Sequence, residues 1–340
     1  TETYTQDDVS GLAAVFTGLS WDEDRFERGS VNNSNIYLPL KAFPFYHEPG
    51  SKTFLGTTIN TGTDVEASLT QAIDHINAHP NVAPFISRQL IQKLVTANPE
   101  PAYVARVADT FDRGTYQMPD GTIIGSGRRC DMAATISAIL LDREARDPVV
   151  MERSTFGKPR EPLLATAQWL RAFRVESSLS GTGILPDAGF LQFLENADRL
   201  SQSPYRAPSV FNYYRPGYVS PGSETAAAGL VSPESQMYST SSLAAYLQFV
   251  RVHVTGSRDA EVFQPDYTPF FSDALNVSVL IDRLDGLMTY GTLEDGTRAR
   301  IEAIVSSITR PDDDPDELAR RRMGLAVMLI MTSPEYLTQR

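Results

Sequence analysis

The chain has four histidines, His47, His75, His79 and His253. Asp74, His75 and His79 set two imidazoles one helical turn apart beside a carboxylate, a spacing that can present two metal ligands on one helical face. Two ligands do not make a site. His79 also precedes Pro80, at what reads as a helix end, where its ring can satisfy the last carbonyls. Capping is therefore the preferred reading of His79, and His75 and His79 are only secondary candidates for a metal.

The cations fall in three loop-like stretches. "YHEPGSKTFLG" holds His47, Glu48 and Lys52 around a Gly50 turn, "FGKPREP" holds Lys158, Arg160 and Glu161, and "YRAPSVFNYYRPGY" holds Arg206, Ser209, Asn212, Tyr213 and Arg215. If these loops converge, they form a pocket with several cations and few acids, suited to a carboxylate, phosphate or sulfate. The competing reading is structural and is preferred: Arg160 and Arg206 pair with buried carboxylates or cap carbonyls, and the aromatics fill the core. His79 and Arg88, at the edge of a helix pair, belong to the candidate set as supports for a neighbouring loop.

Familiar catalytic patterns are absent. The sequence contains no G-x-S-x-G elbow, no P-loop, no G-x-G-x-x-G and no H-E-x-x-H. Whether the chain is an enzyme, and with what cofactor, is left open by its residues. One cysteine, Cys130, excludes an intramolecular disulfide and a multi-cysteine metal site. The net charge of −12, from 30 basic and 42 acidic residues, opposes phosphate backbones and argues against nucleic acid. No run approaches the roughly 18–20 apolar residues that span a bilayer.

The elements that must position these residues are mostly helices. Apolar residues recur at helical spacing over 65–77, 131–141, 163–174, 190–200, 275–288, 297–308 and 315–331, and within 232–254. A first helix is expected from Asp7 or Asp8, as its cap, to about Leu19. In "HPNVAPFISRQLIQKLVTANPEPAYVARVADTF", Asn81 is placed to cap one helix, Asn98-Pro99 to end it and Pro101 to start the next. Both apolar stripes must face each other and a third helix. The residues 312–317, all but one acidic, precede Arg320, Arg321 and Arg322, an order that suits the dipole of one helix. The expected fold is mainly α, an irregular multi-helical unit over residues 1–340. Long ordered loops run over 20–64 and 201–224, with at most a small hairpin near 36–60.

Five segments in order, "YTQDDVSGLAAVFTGLSW", "HEPGSKTFLGTTI", the helix pair quoted above, "FGKPREP" and "RAPSVFNYYRPGYVSPGSETAAAGLVSPE", resemble the bacterial family called domain of unknown function 1800. The resemblance implies an exported protein, periplasmic or at the cell surface. It also implies neighbourhood with a secreted sulfatase-like or alkaline-phosphatase-like protein, and a helical N-terminal half leading into "YTQDDV". The chain is then expected to be the C-terminal portion of a longer protein, with an abrupt start set by processing or trimming. Two functions follow as expectations: a partner or scaffold module acting in a complex with that half and the sulfatase-like protein, or an enzyme or small-ligand binder with a cationic pocket.

Overall fold

A computed structural model describes residues 4–22, 26, 38–177, 200–202, 207–210, 212–255, 263–309 and 314–340. The fold is mainly α, as its periodicity predicts. Among the described residues, strands occur only as antiparallel pairs of two or three residues each. They are more numerous than the single hairpin expected, because short loop segments pair wherever two extended backbones meet.

Helix α1 (Gln6–Val15) is capped two residues before the earlier of the two acidic caps expected for it. Thr5 is the N-cap, and Asp8 closes a reciprocal capping box with it. The second Asp8 oxygen accepts the Leu55 N–H at 2.6 Å, tying the helix start to a hairpin of β1 (Lys52–Phe54) and β2 (Thr57–Ile59). Gly11 is needed for this contact, since a Cβ there would lie 1.8 Å from the Thr53 carbonyl oxygen. Val15, Phe54, Ile59 and Ala72 of α2 (Val65–Asn77) form the small core between these elements.

The helix pair is α3 (Val82–Leu94) and α4 (Pro101–Arg113), and its third partner is α5 (Met132–Leu140). Ile91, Tyr103, Val107, Ala138 and Ile139 pack where the three meet. The Tyr103 hydroxyl donates to the Ile139 carbonyl at 2.5 Å. Asn81 occupies the N-cap position but makes no side-chain cap; its N–H instead donates to His79 Nδ1 at 3.2 Å. Arg106 makes a fork onto Asp142 at 2.7 and 2.8 Å.

The largest core lies in the second half of the chain. It joins α6 (Pro162–Ala172), α7 (Thr240–Phe249), α8 (Val277–Leu284), α9 (Asp295–Ser306) and α10 (Pro315–Met331) around Trp169. Trp169 Nε1 donates to the Tyr267 hydroxyl, which donates to the Val254 carbonyl. Tyr246 and Tyr336 reach Met331 and Ala165 carbonyls in the same way. Burial raises the pKa of all three tyrosines and keeps them neutral donors. In α10, Glu317 pairs with Arg320 and Arg321 one turn on, as the acid-first order predicts. The helix expected over 190–200 lies, but for Leu200, outside the described residues.

Candidate functional site

Three of the signature segments meet at the linker between α3 and α4. The last turn of a helix leaves its carbonyls without intrahelical partners, and here they are met by a lysine. Lys158, on strand β3 (Lys158–Pro159), donates to the Lys93 carbonyl at 2.7 Å and lies 3.4 Å from that of Gln92. Its Nζ also lies 3.1 Å from Glu234 Oε1, with both side chains buried. Neither Glu234 oxygen accepts a hydrogen bond of good geometry, so the attraction between them is that of an ion pair. At this depth the pair is weakly screened and costly to break.

Backbone partners surround this pair. Thr96 Oγ1 accepts from the Gly157 N–H at 3.0 Å, and the Ala97 N–H donates to the Gly157 carbonyl at 3.0 Å. Asn98 reads the Val231 backbone with both ends of its amide, at 2.9 Å each. Gln92 Nε2 donates to the Ala97 and Pro216 carbonyls. Gly157 has φ +102°, and a Cβ there would stand 2.7 Å from the Gln339 carbonyl oxygen. Glycine therefore allows β3 to pair with β4 (Thr338–Gln339).

Glu161 accepts from the Tyr214 hydroxyl and from Gln202 Nε2, and Lys93 Nζ lies 4.0 Å from its carboxylate. Lys93 also sits over the Tyr214 ring, 3.6 Å from its centroid. Burial lowers the Lys93 pKa below its usual range; Glu161 and Glu234 work against the shift, and Lys158 adds to it. Burial, then the Glu161 hydrogen bond, holds the Tyr214 phenol far above its ordinary range. Tyr238, raised by burial and by the Glu234 and Glu161 charges, donates to the Arg160 carbonyl.

Among the described residues the Arg160 side chain has neither the carboxylate partner nor the backbone carbonyl expected as alternatives for it, and is held by side chains instead. Its guanidinium bonds the Gln168 amide oxygen and stacks on Tyr336, 4.6 Å from the ring centroid. Of the nominated residues, Lys158, Arg160 and Glu161 come together, while the others are placed as follows. His47 Nδ1 meets the Thr17 carbonyl at 2.9 Å and so carries the proton, leaving Nε2 for the Ser68 hydroxyl at 3.1 Å. Lys52 is buried and donates to the Gly50 carbonyl at 3.3 Å. His75 Nε2 faces the Leu55 carbonyl at 3.0 Å, and His79 supports the start of α3 rather than the end of α2. Among the described residues no group of three or more His, Cys, Asp or Glu could hold a metal. Arg88 is exposed with no polar partner among the described residues. Asn212 is exposed at φ +68°, its N–H closing a turn onto Ser209. Arg206 lies outside the described residues.

Sequence reasoning missed Lys93, Gln92 and Glu234 as members of this junction. Glu234 stood in a quoted motif ending "SPE", and Lys93 on the polar face of α3, but nothing in their spacing pointed to a shared partner.

These features define a mainly helical module in which signature segments are joined by buried polar side chains. The chain matches the family described as "Protein of unknown function (DUF1800)" over residues 1–338 and belongs to it. No curated protein and no solved structure matches it.

Proposed function

We propose that the chain is a partner or scaffold module of an exported complex, assembling with the helical segment that precedes it in family members and with a sulfatase-like or alkaline-phosphatase-like protein. One observation carries this reading: the motif residues most able to do chemistry are engaged in holding the chain together. Lys158 and Glu234 neutralise each other, Glu161 is filled by Tyr214 and Gln202, and both nitrogens of His47 have partners. The alternative, an enzyme or small-ligand binder built on the nominated cations, is supported by Arg160, which stands at the wall of a cleft.

A partner face is supported at α1. Val9 and Phe16, seven residues apart on one side of the helix and its cap, are exposed, and Phe45, two residues after Phe43, whose N–H donates to the Gly18 carbonyl beyond the helix, is 91% exposed. Covering them with the preceding helical segment buries apolar surface. The test is to co-express this chain with that segment and weigh the product by light scattering. A one-to-one complex with a raised Tm, lost in a Val9→Ser/Phe16→Ser double variant, is expected. A monomeric chain whose Tm ignores the segment would overturn the reading.

A further inference from the structure

The wall of α6, the turn after α8 and the end of β4 enclose an open cleft of about 770 Å³. Three arginines line it, Arg160, Arg171 and Arg340, with Gln168 and Tyr290, and none of the described lining residues has an acidic side chain. This charge distribution is unusual for a chain of net charge −12. None of the three arginines has a side-chain carboxylate partner among the described residues, whereas the half-buried Arg298 and Arg321 each do. Arg160 is only 6% exposed, held in place by Gln168 and the Tyr336 ring. Its guanidinium is thus fixed before any ligand arrives, while Arg171 and Arg340 are exposed and free to close on one.

The opposite wall is also prepared. Gln168 Nε2 donates to the Met288 carbonyl at 3.0 Å and lies 3.4 Å from the Tyr290 hydroxyl. Tyr290 takes a left-handed conformation, φ +59°, which a bulky side chain adopts only when its surroundings impose it. Asp285 brackets this residue: its carbonyl accepts the Gly291 N–H at 3.2 Å, and its buried carboxylate accepts from Thr289 Oγ1 and the Leu293 N–H and pairs with Arg298 at 2.6 Å. Leu164 and Leu287 add exposed apolar surface beside the ring.

We propose that this cleft binds a small organic oxyanion, a phosphate, sulfate or carboxylate group carried on a ring-sized apolar body. The anion is taken by Arg160, Arg171 and Arg340, and the body lies against Tyr290 and Leu287. The cleft falls in the size range of small-ligand sites, and unpaired like charges gathered at a concave wall raise the local concentration of an anion. The inference does not rest on the proposed complex.

The experiment is calorimetric titration of the 340-residue chain with phenyl phosphate, phenyl sulfate, benzoate and, as the neutral control, phenol. Saturable one-to-one binding of at least one anion and none of phenol is expected, and the preferred anion identifies the headgroup. An Arg171→Gln/Arg340→Gln double variant, which removes no internal contact, weakens binding at least tenfold, while Arg88→Gln leaves it unchanged. No saturable binding by any of the three anions at millimolar concentration, or equal binding by wild type and the double variant, would overturn the proposal.

Discussion

Two lysines of this chain are almost fully buried, and their surroundings differ. Lys158, 2% exposed, contacts Glu234 and the last-turn carbonyls of α3, groups more than 60 residues away in the chain. The side chain of Lys52, 1% exposed, makes one hydrogen bond among the described residues, to Gly50 in its own turn. A buried ammonium bonded locally bears a desolvation cost and organises only its own loop. One bonded to a carboxylate and two carbonyls across the fold makes three segments depend on one another. Interior charge in this family member is therefore a structural fastening at the 157–161 segment and little more than a covered side chain at the 47–59 corner.

The difference can be broken from the Lys158 side. Lys158→Met strands Glu234 in the interior and exposes the α3 carbonyls, and is expected to cost about 3–5 kcal/mol in urea unfolding. Alkaline pH should attack the same region. Above pH 10 the phenols of the unfolded chain ionise while Tyr214 and Tyr238, both raised, do not. The native state then holds more protons, so stability falls as pH rises. The two together contribute a slope of roughly 2 kcal/mol per pH unit while the unfolded phenols ionise, which a Tyr214→Phe/Tyr238→Phe variant should flatten in melts between pH 10 and 11.

Gly157→Ala forces a left-handed alanine against the Gln339 carbonyl, and a loss of about 2 kcal/mol is expected in the same unfolding assay. The smallest effect belongs to the other lysine. Lys52→Met is expected to leave stability unchanged or to raise it by up to about 1 kcal/mol, since an unpaired buried ammonium is replaced by an apolar side chain of similar length. A loss of 3 kcal/mol there would erase the distinction between the two regions.

The helices were largely legible because their apolar periods are long: α2 and α10 begin and end where spacing places them, and Pro101 opens α4. Caps were read less well. Thr5 displaced Asp7 and Asp8 because only it sits three residues before a carboxylate that can reach back to it. Asn81 lost its expected role because His79 takes its N–H and its own backbone is helical. At the candidate site, Lys158, Arg160 and Glu161 stood out as charges in a Gly- and Pro-bounded motif. Their partners did not, because Glu234 and Gln202 come from distant loops and no local period encodes which loops meet. Arg171 was hidden for the opposite reason: on a helix, an arginine away from the apolar stripe reads as ordinary solvent-facing charge.

The central claim is that Lys158 and Glu234 act as one unit binding the α3–α4 linker to the second half of the chain. A double-mutant cycle with Lys158→Met, Glu234→Met and their combination, read by urea unfolding, measures this directly. The account predicts that the double variant recovers much of what each single loses, with a coupling of about 2 kcal/mol or more. Additive losses, with a coupling under about 0.5 kcal/mol, would contradict it.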